Sequence, residues 1–217
     1  TWVLIPVAIA INLTIGQIVL LLKLPVYLDS IGTVLVGVIC GPWAGALTGT
    51  LSNIIAGIIL DPGWFPWFPV AAAIGATAGV MANLGFFKNW WKVVVTGFII
   101  AIVATIVGTP ISIAIFGGIS ASGSSIITAF LLETGRSLVS SVLTTNFISE
   151  PLDKIATSLL AFAIIDGLSA RYLARFPRGE NAAVEKGQKQ TQLIIALVVV
   201  VLLILFGIFV LPMLTGG

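Results

Sequence analysis

Apolar runs alternate with short polar breaks along the chain, and small residues recur inside the runs. Runs of this length with helical spacing predict membrane helices. The predicted helices cover approximately residues 3–22, 31–39, 43–60, 70–84, 93–116, 152–168 and 193–214. A further helix over 126–146 carries charged residues, and Pro151 is expected to begin the helix over 152–168. The pattern therefore predicts an all-α integral membrane protein.

The third run carries a stripe of small residues at intervals of four, namely Gly41, Gly45, Gly49, Asn53 and Gly57. Residues four apart lie on one face of a helix, so this face is almost bare backbone. Small residues allow helices to approach closely in lipid, where no hydrophobic force drives helix pairing. The stripe predicts a groove that receives another helix, either for packing within one bundle or as a surface that moves during function.

Composition places the chain in a membrane. It has 217 residues, of which 59% are apolar and 8% are charged, and its mean hydropathy is +1.19. Soluble domains carry about 25% charged residues, so a chain this poor in charge cannot cover a water-facing surface. The length suits one membrane domain of about six or seven spans. A net charge of +2 does not indicate nucleic acid as a partner.

The chain has no histidine and a single cysteine, Cys40. These counts exclude a disulfide within the chain, zinc sites of the His/Cys type, and Ser-His-Asp or Cys-His catalytic groups. The sequence also lacks the Gly-x-x-x-x-Gly-Lys-Ser/Thr motif of P-loop ATPases. We therefore expect neither an enzyme nor a protein with a bound metal or cofactor.

Two basic clusters indicate which side of the membrane each loop occupies. They are Lys88 with Lys92, and Arg171 with Arg175 and Arg178. Cytoplasmic loops carry an excess of lysine and arginine, so both clusters are expected inside the cell. The chain must then cross the membrane an even number of times between them. Residues 126–146 are therefore expected to form a re-entrant or outer-side helix rather than a full span.

On this topology three irregular stretches meet on the outer side, at 23–33, in the aromatic loop with its preceding turn at 61–69, and at 117–154. Their charged residues, three basic and five acidic, give a balance of −2, which argues against a strongly anionic ligand. A concave site with a few polar groups among aromatic rings is typical of small-ligand sites. The candidate substrate-binding residues are Tyr27, Asp29, Ser30, Trp64, Phe65, Trp67, Phe68, Ser122, Glu133, Arg136, Asn146 and Glu150.

These candidates also have structural interpretations. Asp29 suits the N-terminus of the helix that follows it, where a carboxylate is favoured. Glu133 can pair with Arg136, and Glu150 can pair with Lys154. A further alternative is that Arg136 makes a bidentate contact with a ligand carboxylate or phosphate. The rings of the aromatic loop form either a belt at the membrane interface or a wall for a flat heterocycle or an amine.

Several motifs resemble those of the substrate-specific (S) components of energy-coupling factor (ECF) vitamin transporters. The main one joins Leu28-Asp29-Ser30-Ile31-Gly32-Thr33 to Gly41-Pro42-Trp43-Ala44-Gly45. The Ser122-Gly123-Ser124 loop and the Pro151-Leu152-Asp153-Lys154 segment resemble uncharacterised members near the riboflavin type. The resemblance covers about residues 3–177 and implies a six-helix bundle.

The resemblance implies a protein that captures a vitamin or vitamin precursor from outside a prokaryotic cell, with the ligand between outer loops one, three and five. It also implies that the protein acts in the plasma membrane together with a T component and two ATPase subunits. The family contacts the T component through an Ala-x-x-x-Ala face on the first helix. The matching positions here are Ala8 with Asn12 in one register, and Ala10 with Thr14 in the other.

Three parts are expected along the chain: a substrate-binding membrane domain over 1–178, a polar cytoplasmic linker over 179–192, and an additional transmembrane helix over 193–217. Two other functions stay open. A stand-alone secondary transporter usually has an ionisable pair near mid-membrane, whereas the first five predicted helices lack internal acids. A membrane sensor or anchor without transport would suit the additional last helix.

Overall fold

The computed structural model describes residues 3–182, and it describes side-chain burial over 3–180. Within this range the chain is helical, with no β-strand. The helices are α1 (Leu4–Leu21), α2 (Ile31–Cys40), α3 (Pro42–Ile59), α4 (Phe68–Asn83), α5 (Trp90–Phe116), α6 (Ser125–Glu133), α7 (Leu138–Gly167) and α8 (Ala170–Leu173), with 3-10 turns over Pro62–Trp67 and Gly179–Ala182. The predicted helix over 193–217 and most of the predicted linker lie outside the described residues.

Four helical segments in the described range are long and apolar enough to cross a membrane: Leu4–Leu21, Pro42–Ile59, Pro62–Asn83 and Trp90–Phe116. α2 has ten residues and is therefore about 15 Å long, half the thickness of a bilayer's hydrocarbon core. Every residue of α2 up to Ile39 is buried. The described part of the chain is therefore an all-helical bundle of membrane-spanning composition, built around a short central helix.

α3 and α4 pack backbone against backbone at the glycines of the predicted stripe. A Cβ atom built on Gly45 would lie 2.5 Å from the carbonyl oxygen of Gly75 in α4. A Cβ atom on Gly37 of α2 would lie 2.6 Å from the same oxygen. Distances this short leave no room for a side chain, so the groove is filled from within the bundle by α4 and α2.

Asn12 joins three helices inside the bundle. Its amide nitrogen donates to the hydroxyl of Thr33 in α2 at 2.8 Å and to that of Ser52 in α3 at 3.0 Å. Its amide oxygen accepts the backbone N–H of Gly32 at 2.7 Å. Since a polar side chain inside a membrane bundle is costly unless it is paired, Asn12 is a structural cross-link between α1, α2 and α3.

The two registers of the expected partner-contact face on α1 lie in different surroundings. Ala8 and Asn12 are buried, and the backbone of Ala8 packs directly on Gly32 of α2. This corrects the expectation for that register, because α2 already covers both positions. Ala10 and Thr14 are exposed on the outer face of α1.

The structure corrects the helix predicted over 126–146. α6 stops at Glu133, and Gly135 has a φ of +83°, which breaks the helix. A second helix, α7, begins after Ser137, whose hydroxyl accepts the backbone N–H of Ser140 at 3.4 Å. With nine residues, α6 is about 14 Å long and too short to cross a bilayer, so it does not add a third crossing between the basic clusters.

Pro151 lies inside α7 rather than at the start of a helix. Proline removes one backbone hydrogen bond from a helix interior, but most helical stability in proteins comes from packing. A Cβ atom built on Gly97 of α5 would lie 2.6 Å from the Cα atom of Ile155, so α5 and α7 touch just beyond the proline. Packing against α5 therefore carries the helix past the boundary that local propensity predicts.

Arg178 ties together the end of the bundle that carries the basic clusters. Its backbone N–H donates to the carbonyl of Ile39 near the end of α2 at 3.0 Å, and its guanidinium donates to the amide oxygen of Asn83 at the end of α4. Lys88 and Lys92 flank the start of α5. Because neighbouring helices alternate in direction, the ends of α1, α3 and α5 lie at the opposite end of the bundle.

Candidate ligand-binding site

A cavity of about 410 Å³ lies at the end of the bundle opposite Arg178. Its walls come from the last turns of α1, α3 and α5, the start of α4, the middle of α7, and the loops before α2 and α6. Sites for small organic ligands have volumes of about 300–1,000 Å³. The three irregular stretches of the sequence therefore meet around one cavity of a size that suits a small molecule.

One buried carboxylate holds the loop between α1 and α2. Asp153 Oδ1 accepts the backbone N–H groups of both Tyr27 and Leu28, each at 2.7 Å. Lys23 and Leu28 have φ angles of +51° and +50°, in a region that residues other than glycine rarely adopt. The contact with Asp153 stabilises this loop conformation, which brings Tyr27 and Asp29 to the cavity wall.

Lys154 is only 2% exposed and lies among carboxylates. Its ammonium group donates to Asp153 Oδ2 and lies 3.7 Å from Glu150 Oε2. It also lies 5.4 Å from the centre of the Tyr27 ring. The predicted Glu150–Lys154 pair is therefore confirmed, but Asp153 is the closer partner of the ammonium group.

Asp29 borders the cavity next to this cluster. Its Oδ1 accepts the hydroxyl of Ser30 at 2.8 Å. Burial raises the pKa of the Asp29 carboxyl, the ammonium of Lys154 opposes that rise, and the negative charge of Asp153 adds to it. Ser30 is the N-cap residue of α2 and its own side chain makes no capping hydrogen bond, whereas the amide oxygen of Asn12 accepts the N–H of Gly32 in the first turn. Asp29 directly precedes this N-cap residue and donates or accepts no capping hydrogen bond within the described residues, so the favourable position of its carboxylate at the helix N-terminus stays a prediction.

Hydroxyl groups join the first loop to the loop before α6. The hydroxyls of Tyr27 and Ser124 are hydrogen bonded at 2.8 Å, and those of Ser124 and Ser122 at 2.9 Å. Gly123 lies so close to the carbonyl of Lys23 that a Cβ atom would overlap it. Burial, with the nearby charge of Glu150, raises the pKa of the Tyr27 phenol, so this hydroxyl stays protonated.

Two tryptophans form the aromatic wall of the cavity. Trp67 stacks on Phe116 of α5, with ring centres 5.3 Å apart and planes 12° from parallel. Trp64 packs beside Gly16 of α1, where a Cβ atom would lie 3.0 Å from the ring. The turn that carries both rings begins at Asp61, whose carboxylate accepts a backbone N–H of the turn at 2.6 Å. Contacts with α1 and α5 therefore fix both rings.

Three side chains that line the cavity each have an acceptor oxygen with no hydrogen-bond partner among the described residues: Gln17 Oε1, Asn53 Oδ1 and Glu150 Oε2. Asn53 is 5% exposed, and its amide nitrogen donates to the carbonyl of Gly49 at 3.3 Å. Leaving a buried acceptor unpaired is costly. The cavity therefore presents unused acceptors to whatever occupies it.

The predicted site residues divide into two groups. Those that line the cavity are Tyr27, Asp29, Ser30, Trp64, Trp67, Ser122, Asn146 and Glu150. Phe65 and Phe68 lie outside the lining, since Phe65 packs on Gly57 and Phe68 is 44% exposed. Glu133 and Arg136 are exposed around the turn between α6 and α7. Neither residue forms an ion pair within the described part of the chain.

Gln17, Asn53 and Lys154 are among the cavity residues that are absent from the set that the sequence predicts. Asn53 is the one amide in the glycine stripe, and Gln17 is a polar residue inside an apolar span. Both features are signals that could have placed these residues at a site. The sequence places Lys154 in the Pro151-Leu152-Asp153-Lys154 segment and as a partner of Glu150, but not at the ligand site.

Comparisons of the chain with models of protein families, with curated proteins and with solved structures found no match.

Proposed function

We propose that this protein is the substrate-binding membrane subunit of an ECF-type importer, which captures a vitamin-like small molecule from outside the cell. The observation that supports this most directly is the cavity of about 410 Å³ between the two tryptophans and the polar groups of the first loop. Fixed polar groups among aromatic rings are typical of small-ligand sites. Asp29 and Ser30, which belong to the motif that resembles S components, both line this cavity.

The proposal places the cavity on the outer side of the membrane. The end of the bundle opposite the cavity carries Lys88, Lys92, Arg171, Arg175 and Arg178. Cytoplasmic ends of membrane proteins carry such an excess of basic residues. α5 and α7 then supply the two crossings between the basic clusters, and the cavity is open to a substrate that arrives from outside.

Energy for transport would come from partner subunits, because the sequence carries no P-loop. We assign that role to a T component and two ATPase subunits. The exposed face of α1 with Ala10 and Thr14 is the surface assigned to the T component. Small side chains there allow another helix to approach closely in lipid.

Affinity purification of the tagged protein from its native membrane tests the proposal. We expect a T component and two ATPases to co-purify, and we expect Ala10→Leu to release them. Ala114→Leu, a matched change at an exposed position of α5, should leave the complex intact. Recovery of the protein without these partners, together with uptake in cells that lack the ATPases, would contradict the proposal.

A stand-alone secondary transporter is the second candidate function. The buried cluster of Glu150, Asp153 and Lys154 on α7 favours it, because ionisable groups inside membrane bundles often mark ion-coupling sites. However, Asp153 is already used to hold the first loop, and Lys154 is paired with both carboxylates. Uptake that stops when the proton or sodium gradient is dissipated, and that persists without ATPases, would favour this second function.

A further inference from the structure

The orientation of the Asn53 amide is fixed by its neighbour on α3. The group 3.3 Å from its nitrogen is the carbonyl oxygen of Gly49, which can only accept a hydrogen bond. Reversing the amide would place two oxygens together, so the nitrogen must face Gly49. Asn53 Oδ1 is therefore the atom left without a partner in the described structure, on a residue that is 95% buried and lines the cavity.

Glu150 offers a second acceptor to the same cavity. Its Oε2 lies 3.7 Å from the ammonium nitrogen of Lys154, which is beyond hydrogen-bond distance. The ammonium group donates to Asp153 instead. The charge of Glu150 is thus partly balanced, while its oxygen still lacks a donor among the described residues.

The charges around the cavity disfavour an anionic occupant. Asp29, Asp61 and Glu150 line the cavity together with Lys154, and Asp153 lies directly behind Lys154. Asp61 is exposed, so the ammonium group faces three carboxylates inside the site, Asp29, Glu150 and Asp153, and it is already engaged with two of them. An added carboxylate or phosphate would meet uncompensated negative charge in a poorly solvated site, where like-charge repulsion is weakly screened.

From these contacts we propose that the cavity binds a flat aromatic compound that is neutral or cationic and donates hydrogen bonds to Asn53 and Glu150. Amino, amide or ring N–H groups supply the donors, and the rings of Trp64 and Trp67 hold the flat face. Ligands whose polar edge is a carboxylate or a phosphate are excluded. This inference rests on the proposed function, because it takes the occupant of the cavity to be the transported substrate.

Two probes built on one ring system test this ligand class. 2-Aminobenzimidazole carries amino and ring N–H donors, whereas benzimidazole-2-carboxylate has an anionic acceptor in place of the amino group. Binding of each probe to the purified full chain is measured by isothermal titration calorimetry. We expect the amino probe to bind at least roughly tenfold more tightly, which corresponds to one hydrogen bond to a buried acceptor.

Two variants show whether the preference comes from the assigned acceptors. Asn53→Leu keeps a similar volume without the oxygen, and Glu150→Gln keeps the shape without the charge. Each should weaken binding of the amino probe by roughly tenfold and reduce its advantage over the carboxylate. Asn89→Leu is the matched control, because Asn89 precedes α5 at the basic end of the bundle. It should leave both affinities unchanged.

The ligand class is overturned if the carboxylate probe binds as tightly as the amino probe, or if neither probe binds. It is also overturned if the preference survives in both variants. Co-purification with a T component and two ATPases does not depend on the ligand's charge. If the protein binds the carboxylate probe more tightly and still co-purifies with these partners, this inference is rejected and the proposed function stands.

Discussion

The carboxylate of Asp153 accepts the backbone N–H of Tyr27 at 2.7 Å, although the two residues are 126 positions apart in the sequence. The same oxygen accepts the N–H of Leu28, and the other carboxylate oxygen accepts a hydrogen bond from Lys154. One buried side chain thus sets the shape of the first loop and the place of the ammonium group. The stability of this end of the bundle and the geometry of the cavity depend on the same residue.

Replacing Asp153 with alanine should destabilise the protein and weaken ligand binding together. The change leaves two loop N–H groups unpaired and removes the closest counter-charge of Lys154, and breaking a buried pair in this way costs about 3–5 kcal/mol. Thermal unfolding in detergent and probe titration measure the two effects.

The variant Asp153→Asn separates the two roles of this carboxylate. It retains an oxygen that can accept from the loop but loses the negative charge, so its melting temperature should fall between those of the alanine variant and the wild type. An alanine variant with the melting temperature and affinity of the wild type would show that Asp153 does not hold the loop.

Trp64→Ala and Trp67→Ala should each weaken ligand binding without unfolding the bundle. Both rings line the cavity, and loss of the Trp67–Phe116 stack costs about 0.5–1.5 kcal/mol beyond the buried area. The matched control is Trp91→Ala, a 51% exposed ring at the basic end. Unchanged affinity in both cavity variants would reduce the aromatic loop to a membrane-interface belt.

Gly45→Leu should prevent normal packing of α3 on α4. Its side chain would meet the carbonyl oxygen of Gly75, 2.5 Å from the Cβ position, and such overpacking costs about 3 kcal/mol or more because backbone atoms must move. Gly167→Ala is the control, since no described atom other than its chain neighbours and the adjacent backbone of its own helix lies within 4 Å of its Cβ position. A Gly45→Leu protein that elutes and melts like the wild type would refute the close backbone contact.

Labelling of engineered cysteines tests the orientation of the bundle. In a Cys40→Ala background, Arg175→Cys should resist a membrane-impermeant thiol reagent on intact cells and react after permeabilisation. Thr134→Cys, at the turn after α6, should react on intact cells because it lies at the cavity end. Both positions are exposed, so accessibility within the protein does not limit either reaction. The reverse pattern would put the cavity inside the cell and contradict uptake.

Helix positions follow from hydrophobic periodicity for much of the bundle. The predicted ranges of the first five helices lie within about three residues of those observed, because long apolar runs with clear polar breaks leave few alternatives. The region after residue 125 differs, because Gly135 breaks one helix and packing against α5 continues another through Pro151. Such packing is not visible in local sequence.

The sequence could predict which loops form the candidate site, but not the hydrogen bonds that join them. Charge and aromatic content select Tyr27, Asp29 and the two tryptophans, which do line the cavity. The bond from Tyr27 to Asp153 joins segments with no local pattern in common, so periodicity cannot predict it. Glu133 and Arg136 carry the charges expected of a site but lie in an exposed turn, because α6 ends before it brings them to the cavity.

The backbone contact between α3 and α4 also determines which parts of the cavity can adapt to a ligand. No side chain lies between Gly45 and Gly75, so no rotamer change can take up a displacement between these helices, and close-packed interiors resist compression. Asn53, which lies on α3, therefore belongs to a rigid wall. Any change in the width of the cavity opening must therefore come from the loops around Tyr27 and Ser124, which are joined by a hydrogen bond between the two hydroxyl groups.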